Sequence, residues 1–326
     1  MPRQRAARLL LAGLVLLVVL AVPVLLAPWY GWGMKSGNEV ELVVPRGASL
    51  AAVARDMEAA GLVTSAPRFR LLARLLGEDR PVQAGRYQLA ASAPWKTYLE
   101  ALQQGRVVRL MLTISEGLPS VMVVDRLMAE PRLTGAVTVP AEGSVLPETY
   151  EFSQGETRAA VLARMQAAMD RTLAELWPRR SPRAMVKTPQ EAIILASIVE
   201  KETGKASERR LIAGVYSNRL RIGMKLDADP TVIYPITKGR PLGRRILRSE
   251  LRADTGYNTY ARPGLPAGPI ANPGRDSIAA VLDPEETDAL FFVADGSGGH
   301  VFASTLAAHN ANVQRWYALR RSRGEM

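Results

Sequence analysis

An uncharged apolar stretch near the amino terminus is the feature that most constrains the folding of this chain. Residues 9–27 carry no charged side chain, and about 20 apolar residues suffice for a helix to cross a bilayer. The stretch is flanked by arginines on one side and by aromatic residues on the other: Arg3, Arg5, Arg8, Trp29, Tyr30 and Trp32. Because arginine favours the cytoplasmic side and aromatic residues favour the interface, the sequence predicts a cytoplasmic stub at 1–8, a membrane helix at 9–28 and an exported body.

A cleaved signal peptide is the alternative interpretation of the same stretch. Its cleavage site would need small residues in a small-x-small pattern, and Leu25-Leu26-Ala27 does not provide them. Pro28, which follows directly, would also hinder cleavage. The sequence therefore favours a retained single-span anchor.

Composition excludes several kinds of chemistry. The chain of 326 residues has no cysteine, which excludes disulfides and thiolate metal sites. Its two histidines, His300 and His309, do not form a zinc motif, and we expect both to form hydrogen bonds within their own elements. No G-x-S-x-G motif is present, so no metal and no cofactor is predicted. The net charge of +11 could indicate nucleic-acid binding, but an exported body would meet anionic lipid or wall polymer instead.

The rest of the chain divides into a small module at 39–114 and an α+β domain at 115–326. In the module, the pattern predicts strands at 39–44, 85–89 and 106–114 and helices at 49–60, 67–76 and 95–104. In the domain, it predicts helices at 120–130, 157–176, 189–203, 208–222, 275–282 and 304–319, and strands at 291–294 and 300–303. Residues 223–275 are rich in Gly, Pro, Asn and Tyr, and we expect a long functional loop there. Within this loop, the basic stretch 238–248 is expected to be a mobile solvated segment, with contact to lipid headgroups or glycan as the alternative.

Glu200 stands out because it lies inside the apolar run 191–203. Thr188 is a suitable helix cap, Pro189 suits the first helical position, and Glu191 can complete a capping box. Helical spacing places Glu200 among Ile193, Ala196 and Ser197 and puts Glu202 on another face. Apolar surroundings raise the pKa of a carboxyl group, so Glu200 is a candidate general acid. A helix-end carboxylate paired with an arginine is the structural alternative.

Polar and aromatic residues that could line a sugar cleft surround or follow this helix. Aromatic faces pack on sugar rings and amides bind sugar hydroxyls, although each residue type also has structural roles in loops. The candidates are Ser197, Asn218, Arg219, Asp229, Tyr234, Tyr257, Asn258, Tyr260 and Asn272. Asp229 is expected to position substrate or to cap the turn at Pro230.

Several of these residues fall in ordered motifs: 195–203 (LASIVEKET), 217–224 (SNRLRIGM), 229–234 (DPTVIY), 257–260 (YNTY), 264–266 (GLP) and 292–300 (FVADGSGGH). In this order they resemble the endolytic murein transglycosylases of the MltG (YceG-like) family. The resemblance covers residues 115–320, and the anchor and small module match that family's layout, in which the module is LysM-like.

The resemblance implies a bacterial inner-membrane lyase whose exported domain cuts nascent peptidoglycan strands and ends their elongation. By its motif, Glu200 would protonate the oxygen between N-acetylmuramic acid and N-acetylglucosamine. It would then accept the proton of the 6-hydroxyl that attacks the anomeric carbon and leaves a 1,6-anhydro end. No water enters, so one carboxyl can serve both steps. The peptidoglycan synthases of elongation or division are the implied partners, and nucleic acid is not.

Two points stay open. A hydrolase would need a second carboxylate, for which Glu148, Asp227, Asp229 and Asp254 are candidates. A non-catalytic anchored wall-binding protein would tolerate a change at Glu200. Glu202 is expected to matter for stability or positioning rather than for chemistry.

Overall fold

The chain forms two compact units of mixed α and β structure, which divide between Leu110 and Met111. The computed structural model describes residues 13, 17, 19–32, 37–106 and 110–325. Of the membrane helix predicted at 9–28, residues 9–12, 14–16 and 18 lie outside this description. In the part of the chain that is described, no helix combines the length and the apolar character needed to cross a membrane.

The first unit packs helices against a two-stranded sheet. Strands β1 (Glu39–Val44) and β2 (Gly85–Ala90) pair antiparallel, with Leu42 opposite Tyr87. The helices are α1 (19–30), α2 (Leu50–Ala59), α3 (Ala66–Leu76) and α4 (Trp95–Gln104). Alternate strand residues and one face of each of α2, α3 and α4 are buried together, around the rings of Phe69 and Trp95. This β-α-α-β order is the one that the sequence predicts. Of the strand predicted at 106–114, residues 107–109 lie outside the described part.

The second unit contains two further sheets and most of the helices. Strands β3 (Leu110–Thr113) and β4 (Thr149–Phe152) pair with each other, and β5 (Phe291–Ala294) pairs antiparallel with β6 (His300–Ala303). The helices are α5 (Ser120–Met128), α6 (Arg158–Leu176), α7 (Pro189–Glu202), α8 (Arg209–Arg221), α9 (Asp229–Thr237), α10 (Arg248–Arg252), α11 (Arg275–Leu282) and α12 (Leu306–Ser322).

Helix α7 is the central element of the second unit. Its residues from Ala192 to Val199 are all buried, and it contacts α8, α9 and α11. The helix begins as predicted: the Thr188 hydroxyl accepts from the Glu191 N–H at 3.1 Å, and Pro189 occupies the first turn. The Glu191 carboxylate accepts from the Lys187 N–H at 2.5 Å rather than from that of Thr188. Because α7 is buried on every side, its apolar pattern does not define a single inner face.

The long loop predicted at 223–275 is wrong in part, because it contains α9 and α10. Pro230 occupies the first turn of α9, where a missing N–H leaves no hydrogen bond unmade. Pro235 lies inside α9, close to its carboxyl end. The sequence pattern does not predict this helix, because proline is usually expected to end a helix.

Candidate active site

A cleft of about 720 Å³ opens at the carboxyl end of α7. The cleft is formed by residues from α7, α8, α9, β5 and α12, together with the loops before α9 and after α10. Aromatic side chains form much of its wall: Tyr216, Tyr260, Phe291, Phe292, Trp316 and Tyr317. Aromatic walls with a few charged groups are the usual composition of a site that binds an uncharged ring while orienting it.

Glu202, the last residue of α7, is the carboxylate of this helix that faces the cleft. Burial and the nearby charge of Asp229 raise the pKa of Glu202 to about 7, although a hydrogen bond from Tyr216 and the charge of Arg219 oppose the shift. A carboxyl group with this pKa exists in both protonation states near neutral pH, so it can both give and accept a proton.

Three sequence-predicted residues lie in the cleft with Glu202: Arg219, Asp229 and Tyr260. The Arg219 guanidinium donates to the backbone oxygens of Leu290 at 2.6 Å and Leu226 at 2.7 Å. The Tyr260 hydroxyl donates to Asp229 Oδ1 at 2.6 Å. The Asp229 side chain therefore binds a cleft tyrosine and forms no cap at the start of α9, which corrects the capping role expected for it.

Glu200 lies in a separate network of charges. Its side chain is only 5% exposed and its Oε1 lies 3.7 Å from Arg209 Nη2, while its Oε2 accepts from the Gly274 N–H at 2.9 Å. Gly274 caps α11, and a helix amino terminus favours a negative charge. Glu200 thus forms the arginine pairing that the structural alternative describes, and its assignment as the acid stays a prediction.

Arg209 joins two more carboxylates to this network. Its guanidinium is 11% exposed and donates to Glu116 at 2.7 Å and to Asp276 at 3.2 Å. Burial, followed by the charge of Glu200, raises the pKa of Glu116, while Arg209 opposes the shift. The network consists of one arginine and three carboxylates. It links α7, α8 and α11 to the loop before α5.

The other polar candidates hold backbone groups of the fold. The Asn258 amide donates to the oxygens of Glu250, Leu251 and Ala253, and that of Asn218 donates to Thr287 and Ala289. Buried Asn272 joins Val145 to Leu118, and the Ser197 hydroxyl joins Ile194 to Ile270. Because their polar atoms are occupied in this way, the arrangement favours structural roles for these four residues. Their binding to sugar stays a prediction.

Tyr234 and Tyr257 form a separate aromatic pair. Their ring centroids are 5.0 Å apart, and the Tyr234 hydroxyl hydrogen-bonds Glu142. Burial raises the pKa of Glu142, while hydrogen bonds from Ser120 and Tyr234 oppose the shift. This pair does not line the cleft at Glu202.

The candidates for a second carboxylate are also separated by the fold. Asp227 and Asp229 line the cleft, and burial raises the pKa of Asp227. Asp254 instead pairs with Arg262 at 2.6 Å. The two histidines differ as well, because His300 pairs with Glu208 at 2.7 Å, whereas His309 stacks on Phe291 in the cleft with 5.2 Å between ring centroids.

The aromatic wall that α12 and β5 supply is not among the site residues predicted from the sequence. Leu306, His309, Val313, Trp316 and Arg320 all line the cleft, and their spacing of three and four residues is that of one helical face. This stripe was the available signal. The contribution of β5, which precedes α12 in the chain, could be found only from the packing of α12 against that strand.

Comparisons with known proteins agree with one another. The sequence profile of the YceG-like family matches residues 42–315. The endolytic murein transglycosylase of Bacillus subtilis is 26% identical over 313 residues, covering 86% of each chain. That of Streptococcus pneumoniae is 28% identical over 327 residues, which cover 85% of this chain and 58% of the relative's length. A crystal structure of a yceG-like protein of Listeria monocytogenes superimposes with a TM-score of 0.52 at 26% identity, covering 85% of this chain and 99% of that one.

Proposed function

Because this chain belongs to the YceG-like family, we propose that it is an endolytic murein transglycosylase, a lyase that cuts peptidoglycan glycan strands. The names of the Bacillus and Streptococcus relatives support this reaction. We further propose that it cuts the bond between N-acetylmuramic acid and N-acetylglucosamine in nascent strands and so ends their elongation. The observation that carries the proposal is the aromatic cleft at the carboxyl end of α7, which Glu202 lines together with Asp229 and Tyr260.

In the proposed reaction, Glu202 serves first as an acid and then as a base. Its protonated carboxyl gives a proton to the bridging oxygen as the bond from that oxygen to the anomeric carbon breaks. The carboxylate then accepts the proton of the muramic acid 6-hydroxyl, whose oxygen forms the new bond to the anomeric carbon. Glu202 ends in the state in which it began, and no water is consumed. This proposal departs from the sequence-based prediction, in which the family motif implies Glu200 as the acid and Glu202 serves stability or positioning, and Glu200 is the alternative acid.

The remaining cleft residues bind and orient the strand in this proposal. Tyr260 and the aromatic side chains of β5 and α12 would pack against sugar rings. Asp229 holds the Tyr260 hydroxyl and, by its negative charge, contributes to the raised pKa of Glu202. Arg219, tied to backbone oxygens on two sides of the cleft, would fix the cleft wall.

We also propose the location that the sequence predicts. Residues 9–28 would anchor the chain in the bacterial inner membrane with the amino terminus in the cytoplasm, and the body would lie outside. The β-α-α-β unit would be LysM-like. Peptidoglycan is then the substrate within reach, and the synthases of elongation or division are proposed partners.

The chemical nature of the new ends tests the reaction. The full chain is incubated with purified glycan strands in water enriched in heavy oxygen, and the products are analysed by mass spectrometry. The proposal predicts 1,6-anhydro ends without heavy oxygen. Reducing ends that contain heavy oxygen would mean hydrolysis, with Asp227 or Asp229 as the partner carboxylate. Binding without any new ends would favour a wall-binding protein.

A further inference from the structure

Helix α3 exposes two leucines on the side that faces away from the core. Leu71 is 48% and Leu75 is 66% exposed, while Phe69, Leu72 and Ala73 on the opposite side are buried. Leu71 and Leu75 are four residues apart, so they form one stripe along the helix. Within the described part of the first unit, about half or more of each leucine is therefore open to solvent.

Arginines border the leucine stripe on both sides. At 100° per residue, Arg68 lies beside one edge of the stripe, and Arg70 and Arg74 lie beside the other. Arg70 and Arg74 are exposed, and residues 66–76 include no acidic side chain. Leucines bordered by arginines are typical of helices that lie in a membrane interface, because the leucines enter the acyl boundary while the arginines reach the headgroups.

Helix α1 connects this surface to the proposed anchor. Trp29, near its carboxyl end, is 1% exposed in the core of the first unit, and its ring centroid lies 6.5 Å from that of Phe69 on α3. The Arg68 guanidinium donates to the Leu25 oxygen at 2.6 Å and also to the Val24 oxygen. The carboxyl end of α1 therefore packs directly against α3.

The earlier part of α1 is apolar and exposed on all sides. Val19, Leu20, Val22 and Val24 are each large, apolar and exposed. A helix segment that is apolar all round is normally surrounded by a protein core or by lipid. Since the carboxyl end of this segment contacts α3, the exposed face of α3 lies next to the place where the segment would leave the lipid.

We propose that the α3 surface, defined as Arg68, Arg70, Leu71, Arg74 and Leu75, rests on the membrane and binds anionic headgroups. The inference depends on the anchor at 9–28 proposed above and is independent of the cleavage reaction. Leu71 and Leu75 enter the interface, and Arg70 and Arg74 bind lipid phosphates. The surface sets the height and tilt of the first unit on the bilayer. The occupant is lipid rather than a second protein copy, because the arginines match the negative charge of the membrane surface.

The absence of cysteine makes a direct test possible, since a single introduced thiol can be labelled. Four variants of the full chain, Leu71→Cys, Leu75→Cys, Val19→Cys and Glu58→Cys, each carry an environment-sensitive fluorophore. Glu58 is exposed on α2 and is the matched control. Each protein is reconstituted into phosphatidylcholine vesicles with and without phosphatidylglycerol, and quenching by spin-labelled lipids is measured.

The proposal predicts blue-shifted emission and lipid quenching at positions 71 and 75, stronger with phosphatidylglycerol, and neither effect at position 58. Adding Arg70→Gln and Arg74→Gln should remove the dependence on phosphatidylglycerol. Quenching at position 19 alone would leave the anchor intact and overturn the α3 surface. A blue shift at 71 and 75 without lipid quenching would mean contact with another protein copy and would also overturn it. No quenching at position 19 would overturn the anchor itself.

Discussion

The last turn of α7 carries two glutamates, two residues apart, that the fold treats in opposite ways. Glu200 meets Arg209 and the Gly274 N–H, so its negative charge has compensating partners. Glu202 meets the Tyr216 hydroxyl and the negative charge of Asp229 inside an aromatic cleft. Burial alone therefore does not identify an acid catalyst. What distinguishes the two is their surroundings, because Glu200 is held by an arginine and a backbone N–H, whereas Glu202 lines an aromatic cleft.

The two glutamates should also contribute to stability in opposite directions. The Glu200 network binds three helices to one another and should contribute to stability. Glu202 is held where ionisation is unfavourable, a strain that active sites often carry for function. Changes at the two positions should then affect different measurements.

The largest effect on stability should be the pH dependence that Glu202 creates. The pKa of this group is about 7 in the folded chain against 4.5 as its ordinary value. Below pH 4.5 the Glu202 carboxyl is protonated in both the folded and the unfolded chain. Between pH 4.5 and about 7 it ionises only in the unfolded chain, which favours unfolding as the pH rises. Wild type should thus lose roughly 3 kcal/mol of unfolding free energy relative to Glu202→Gln across this window. Denaturant titrations at several pH values measure the difference, and a constant difference would contradict the assigned environment.

Glu200→Gln should have the next largest effect, in the opposite direction. Replacing the carboxylate weakens the contacts with Arg209 and with the amino terminus of α11, which should lower the unfolding free energy by about 1–3 kcal/mol. Glu286→Gln is the control, because Glu286 pairs with Arg183 in an exposed position and should change stability by less than about 1 kcal/mol. Equal unfolding free energies for the two variants would show that the Glu200 network stabilises the fold no more than an exposed ion pair does.

Tyr260→Phe should have a smaller effect, confined to the cleft. The change removes the hydroxyl that donates to Asp229 at 2.6 Å and should lower kcat/KM by about fivefold, equivalent to roughly 1 kcal/mol. Tyr257→Phe is matched to it, because Tyr257 belongs to the separate pair with Tyr234. An equal loss in both variants would argue against a specific role for the Tyr260 hydroxyl.

The helices with clear ends could be predicted from sequence, and those with misleading residues could not. Thr188 and Pro189 mark the start of α7 correctly, because capping is a local interaction. Helix α9 was missed because Pro230 and Pro235 suggest a loop, although one occupies a first turn and the other lies near the end.

The sequence places the site near the end of α7 but does not show which glutamate faces the cleft. Helical spacing separates Glu200 from Glu202, but it cannot tell which of them meets a cleft when α7 is buried on all sides. That depends on Arg209 and Gly274 on one side and on α12 on the other, which are brought there by the tertiary fold. The amide of Asn258 looks equally suited to sugar or to backbone until its three carbonyl partners are seen.

The rate at which Glu202→Gln and Glu200→Gln form 1,6-anhydro ends from purified glycan strands tests the central claim most directly. Both variants are first shown to be folded at the assay temperature by circular dichroism. If Glu202 is the proton donor, its variant should lose at least about a hundredfold in rate, and Glu200→Gln should stay within about tenfold of wild type. The reverse result, with Glu202→Gln active and Glu200→Gln inactive, would contradict the account and return the catalytic role to Glu200.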